Sequence, residues 1–180
     1  MSEPTPRATT PANLTFRPVG PNDAVLIGRL VGEAFERDNE ARLVGALRIS
    51  DDLVLELVAS DGANILGHVV FSRATVSEGD TGLEIAILAP LSVRPDMQRA
   101  GIGSALVKEA LERLKREDID LVVVVGDPAY FTRFGFSAGL GEKFDTPWAG
   151  PNFLAMELKE GTSDRLPATL TFAAPLTAVD

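Results

Sequence analysis

Two glycines one residue apart, Gly101 and Gly103, precede a run with helical spacing and follow Arg94 and Arg99. The start of a helix leaves backbone N–H groups without intrahelical partners and carries the positive end of the helix dipole. Glycine there lets a ligand come close to the backbone. With two guanidinium groups alongside, the stretch from Leu91 to Arg116 reads as a cradle for phosphate. Two nucleotide-binding versions of such a cradle do not fit. No GxxxxGK run followed by Ser or Thr occurs, and Leu106 stands where the GxGxxG pattern needs its third glycine.

Other reactive side chains are few. The chain has no cysteine, which excludes disulfides, thiolate metal sites and cysteine nucleophiles. A single histidine, His68, excludes a multi-histidine metal site. His68 belongs to an alternating strand, where an imidazole can relay a proton near neutral pH or serve a structural role. Glu84 lies between Leu83 and Ile85, on the opposite strand face from both. Burying an unpaired carboxylate is costly, so Glu84 is expected to face solvent or a cleft. Trp148, the only tryptophan, sits in a loop between Pro147 and Pro151. A pocket wall, a subunit contact and a core plug are all open to it.

The elements that must hold these residues follow from apolar spacing. A short strand is expected over 14–19. A helix over 23–35 turns Val25 or Leu26, Leu30, Val31, Ala34 and Phe35 inward, with Asn22 or Asp23 as its cap. A second helix starts near Asn39, and an acidic link joins the two. Strands follow over 53–60, 65–76 and 83–93, the last interrupted by Pro90, which removes a ladder hydrogen bond and predicts a bulge or an edge-like irregularity. A helix over 104–116 buries Ala105, Leu106, Ala110, Leu111 and Leu114 and pairs Glu112 with Arg116. The valine-rich run 119–125 suits a central parallel strand. Asp127 is placed to cap a short helix over 130–133. A loop over 137–151 and a strand over 152–159 complete the pattern, and residues 170–172 form a last weak strand or part of a loose tail. The order is that of an α/β fold, a mixed sheet with helices on both faces.

The chain has 180 residues, enough for one domain. The proline- and threonine-rich residues 1–13 are expected to be a disordered leader, 14–160 the domain, and 161–180 a C-terminal extension with at most one added strand. The net charge of −9 repels polyanions and makes nucleic acid an unsuitable partner, while an amine suits the balance better. No signal-peptide core and no long apolar run is present, so a cytoplasmic location and no membrane partner are expected.

Gln98-x-x-Gly101-x-Gly103, preceded by Leu91-x-Val93-Arg94-Pro95, resembles the acetyl-CoA signature of the GNAT superfamily of acyl-CoA N-acyltransferases. Tyr130-Phe131-Thr132-Arg133-Phe134-Gly135-Phe136 resembles that family's closing motif, in the right order and about thirty residues on. The resemblance covers roughly residues 14–159. It implies the GNAT fold, with strands four and five splayed apart. It implies acetyl-CoA as co-substrate and no metal, with the pantetheine arm pairing along Leu91, Ser92 and Val93 beside Arg94 and Gln98. The pyrophosphate would rest on the N–H groups of Arg99, Ala100, Gly101, Ile102, Gly103 and Ser104. It implies an N-acetyltransferase in which an amine attacks the thioester directly, with Glu84 as the strand-four base. The family's usual tyrosine acid falls at Phe131, which has no proton to give, so Tyr130 next to it becomes the candidate acid. Without an acid, the alternative is a catalytically weak acyl-CoA-binding sensor or structural relative. Many proteins of this kind pair as homodimers, and no segment here marks an interface. The acceptor, a small-molecule or peptide amine, is not marked by any motif in 22–50 or 137–151.

Overall fold

The computed structural model describes residues 8–79 and 82–178, so residues 1–7 of the expected leader and 179–180 of the expected extension lie outside the described residues. Residues 8–13 form no helix or strand, yet they are anchored. The Thr10 hydroxyl donates to the Ala100 carbonyl, and Asn13 Nδ2 donates to the Asp61 carbonyl at 2.5 Å.

Six strands run side by side: β1 (Thr15–Pro18), β2 (Leu53–Ser60), β3 (Ile65–Glu78), β4 (Ile85–Val93), β5 (Leu121–Val125) and then β7 (Phe153–Glu157). Neighbours are antiparallel except β4 and β5, which are parallel. The expected loop over 137–151 contains two short elements, α5 (Ala138–Gly141) and β6 (Phe144–Asp145). The C-terminal segment is built into the sheet. β8 (Ala168–Phe172) pairs antiparallel with the end of β3 and parallel with β6, and α6 (Ala174–Thr177) follows it.

Helices cover both faces. On one face α1 (Ala24–Phe35) and α2 (Asn39–Ile49) close a core that includes Ile27, Val31, Leu47, Val70 and Ile87. In α1 the buried positions are Ile27, Leu30 and Val31, while Val25 and Leu26 are exposed, a rotation of the expected face. Asp23 does not cap α1 through its side chain, because its carboxylate accepts from the Gly20 N–H at 2.7 Å and from Arg17 at 2.5 Å. On the other face α3 (Ile102–Arg116) buries Ile102, Leu106, Val107, Ala110, Leu111 and Leu114. Val107 rather than Ala105 completes that stripe, and Glu112 pairs with Lys115 at 2.7 Å, not with Arg116. No side chain caps the N-terminus of α3. A missing cap costs about 1 kcal/mol. Each buried Leu or Ile returns about 2 kcal/mol, so packing holds the helix in place with its first turn open.

Pro90 has the expected effect. Val69 faces Leu91 and Phe71 faces Leu88, so Ala89 and Pro90 together oppose Val70 in a bulge. Among the described residues no helix is long and apolar enough to cross a membrane.

Candidate active site

The glycine turn is an open helix terminus. Arg99 and Gly101 both have positive φ, +60° and +88°, a conformation natural to glycine and uncommon for arginine. The first helical bond of α3 runs from the Ala105 N–H to the Gly101 carbonyl at 3.0 Å. The N–H groups of Ile102, Gly103 and Ser104 therefore precede the ladder and point out of the helix end. A Cβ on Gly103 would lie 3.0 Å from the Tyr130 hydroxyl and 3.3 Å from Val93 Cγ2, so a side chain there would crowd the space between α3, β4 and Tyr130. Gln98 Nε2 donates to the Val93 carbonyl at 3.2 Å and ties the turn to the strand end. Arg94 is engaged by Asp96 at 2.6 and 3.0 Å, which holds the guanidinium proton more firmly and the carboxyl below its usual range. Arg99 is exposed and makes no ion pair among the described residues.

Strand separation makes the second half of the site. β4 and β5 pair from Ile85↔Leu121 to Leu88↔Val124 and no further. β5 continues only against β7, up to Val125↔Phe153. From Ala89 onward, β4 therefore turns one edge to a cleft of about 820 Å³. Val125, at the parting point, is 50% exposed despite its apolar side chain. Backbone N–H and C=O groups on such an edge accept an extended ligand as an added strand.

Leu91, Ser92, Val93, Arg94, Gln98, Arg99, Ala100, Gly101, Ile102, Gly103 and Ser104 thus form one continuous stretch from the free edge of β4 to the open end of α3. Tyr130 joins them. It lies in α4 (Pro128–Phe131), which Asp127 caps by accepting from the Ala129 N–H at 2.9 Å. Arg133 sits 4.5 Å over the Tyr130 ring. The neighbouring Phe131 ring packs edge-on against Phe136 and so close to Gly126 that a Cβ there would meet it at 2.3 Å.

Glu84 is not part of this site. It precedes the first residue of β4, and its carboxylate pairs with Arg73 at 2.5 Å on an exposed surface. Its backbone is held by Asp120, whose carboxylate accepts from the Glu84 N–H at 2.8 Å. Five or six residues of strand at about 3.3 Å each separate it from the bulge where the cleft opens. Glu84 keeps the expected face alternation and faces solvent, one of the two surroundings expected for it, but it stands apart from the cleft.

His68 is enclosed completely. Its Nε2 lies 2.7 Å from a Glu56 carboxylate oxygen, which Arg48 also holds at 2.5 Å. Burial lowers the His68 pKa more than Glu56 raises it, so the ring is neutral and donates from Nε2. Burial also raises the Glu56 pKa, but the bonds to His68 and Arg48 outweigh it and hold the group ionised. His68 Nδ1 and the hydroxyls of Ser72 and Ser92 have no hydrogen-bond partner among the described residues. His68 thus belongs to a buried polar seam under α2 and does not line the cleft.

The opposite wall of the cleft carries residues that the sequence did not mark as site residues. Phe35, Arg37, Glu40 and Leu43 come from the α1–α2 turn, and Leu176 and Thr177 come from α6. Trp148 lines the same wall and stacks on Phe172 with ring centroids 4.2 Å apart. The Phe172–Leu176 spacing at the end of a weak strand was the only trace of α6 in the sequence. Among the described residues no group of three His, Asp or Glu side chains is arranged to hold a metal ion.

Comparison with known proteins agrees with this geometry. A family model described as an acetyltransferase (GNAT) domain matches residues 54–138. The uncharacterized N-acetyltransferase YhbS of Escherichia coli K12 is 37% identical over 131 residues, covering 72% of this chain and 77% of YhbS. The crystal structure of YhbS in complex with CoA superposes with a TM-score of 0.85 at 30% identity, covering 100% of this chain and 97% of that one. A GNAT family acetyltransferase from Brucella melitensis, in complex with acetyl-CoA, gives a TM-score of 0.75 at 28% identity over 91% of this chain and 97% of that one.

Proposed function

The chain belongs to the GNAT family of acetyltransferases, and on that premise we propose that it transfers the acetyl group of acetyl-CoA to a primary amine by direct attack in a ternary complex. The observation that carries this reading is the run of backbone from the unpaired edge of β4 at the cleft to the uncapped α3 N-terminus, where Gly103 lies beside the cleft residues Leu91 and Tyr130. Free N–H groups at a helix start suit a pyrophosphate. A free strand edge suits the amides of a pantetheine arm. The residues present therefore fit the co-substrate at both ends. The reading brings a cytoplasmic location with it, because so highly charged a thioester does not cross membranes.

The thioester supplies an activated acetyl group, and the chain supplies position. Backbone N–H groups from Arg99 to Ser104 would hold the diphosphate, and Leu91 to Val93 would align the arm. Holding two reactants together turns a bimolecular encounter into an effectively unimolecular step. The amine must lose its proton before it attacks. Asp127 is the cleft carboxylate without an ion pair among the described residues, while Glu40 is bound by Arg37. The Tyr130 hydroxyl lies beside Gly103, at the diphosphate end of the proposed track. That position suits holding the co-substrate better than protonating its thiolate.

Release of CoA thiol from acetyl-CoA, followed across a panel of primary amines, tests the proposal. Amine-dependent release is expected. Phe131 favours a second reading, an acyl-CoA-binding relative without turnover, because its buried phenyl ring stands where the family's tyrosine acid falls. Saturable acetyl-CoA binding with no thiol release from any amine would establish that second reading instead.

A further inference from the structure

The cleft has two unlike walls. β4 beyond Leu88 and the end of β5 form the wall suited to an extended thioester arm. The facing wall is assembled from three separate parts of the chain: Phe35 and Leu43 from the first helices, Trp148 from the loop, and Leu176 from α6. These surfaces are apolar or aromatic, and the stacking of Trp148 on Phe172 fixes the indole as a flat panel. Thr177 and Tyr130 contribute the hydroxyls of the cleft.

Charge in the cleft is sparse and ordered. Glu40 is nearly buried and bound by Arg37 through two hydrogen bonds, one of 3.0 Å, so that pair has no net charge to offer. Asp127 remains. One of its oxygens accepts from the Ala129 N–H, and no ion pair uses the carboxylate among the described residues. One carboxylate matches one ammonium. It repels an acceptor that carries its own carboxylate, and it leaves a polycation short of partners. Buried hydroxyls on a sugar-like acceptor would lose hydrogen bonds to water that this wall does not replace.

We propose that the acceptor is a small primary monoamine with a flat apolar body, an arylalkylamine in chemical terms, seated against Trp148 and Leu176 with its nitrogen toward Asp127. This rests on the acetyltransferase reading and adds the substrate class to it. It also assigns the C-terminal segment, residues 168–177, to acceptor selection.

The test uses the full-length chain and acetyl-CoA. Thiol release is followed with 2-phenylethylamine and tryptamine, with ethanolamine, which lacks the ring, with phenylalanine, which adds a carboxylate, and with spermidine, a polycation. The two ring amines should exceed each of the other three in kcat/KM by about tenfold or more. Trp148→Ala should lower kcat/KM for 2-phenylethylamine by roughly tenfold, mainly through KM, and leave the acetyl-CoA Kd within about twofold. Asp127→Asn should narrow the gap between 2-phenylethylamine and phenylalanine. Ethanolamine, phenylalanine or spermidine equal to the ring amines would overturn the proposal. So would acetyl-CoA that binds normally while neither ring amine is acetylated. Absence of acetyl-CoA binding itself would instead overturn the underlying acetyltransferase reading.

Discussion

Tyr130 and Phe131 show how far one residue of offset matters. Adjacent residues of a short helix point in different directions, and here the difference separates a hydroxyl beside Gly103 from a phenyl ring packed on Gly126. With the hydroxyl next to the co-substrate track, Tyr130→Phe should raise the KM for acetyl-CoA several-fold and change kcat by less than about twofold. A large fall in kcat with KM unchanged would give Tyr130 the proton-donor role instead. Glu84 is the other instructive residue. Its exposed pair with Arg73, at the end of β4 remote from the cleft, contributes at most about 1 kcal/mol to stability. Glu84→Gln should leave kcat and its pH profile unchanged, and loss of the acid limb of that profile would restore it as the base. The alternation of Leu83, Glu84 and Ile85 was legible in the sequence. How far Glu84 lies from the opening was not, because that depends on where β5 stops pairing.

At the scale of elements, the α3 terminus and the β4 bulge were both readable from glycine and proline, whose backbone effects are local. The seam of Arg48, Glu56 and His68 was not, because it joins side chains of three different elements, α2, β2 and β3, that no single apolar period relates. Its titration has a definite sign. His68 has a folded-state pKa below its ordinary 6.5, so it favours the fold above that pH and loses this contribution as pH falls through the window below 6.5. Glu56, held below its ordinary 4.5, adds a further loss at still lower pH. The hydroxyls of Ser72 and Ser92, buried alongside, do not titrate here. The native Tm should therefore be level from pH 8 to about 6.5 and then decline. His68→Gln should lower Tm at pH 7.5, since it disturbs a buried bond at a cost of roughly 1–3 kcal/mol, and should shrink the decline between pH 6.5 and 5. An equal decline in both proteins would remove His68 as its source.

For the whole molecule, the succession of strands and helices along the chain follows from spacing in the sequence, since each carries its own apolar period, while their order in the sheet is set by tertiary pairing. The C-terminal segment was legible only as a weak strand. Its weight comes from tertiary placement, where β8 extends the sheet beside β3 and β6 and α6 reaches the cleft. One consequence is that the proposed acceptor wall draws on residues from both ends of the chain, while the proposed co-substrate track runs along one contiguous stretch from Leu91 to Ser104. The central claim concerns that stretch: the open first turn of α3 and the free edge of β4 form a single acetyl-CoA site. Calorimetric titration of acetyl-CoA into the full-length chain and into Gly103→Val, with the unliganded Tm recorded for both, addresses it most directly. The account predicts one site per chain in the native protein. It predicts affinity at least about tenfold weaker in the variant, a difference of about 1.4 kcal/mol, with Tm changed by only a few degrees. Equal affinity in the two proteins, or no binding to the native chain, would contradict it.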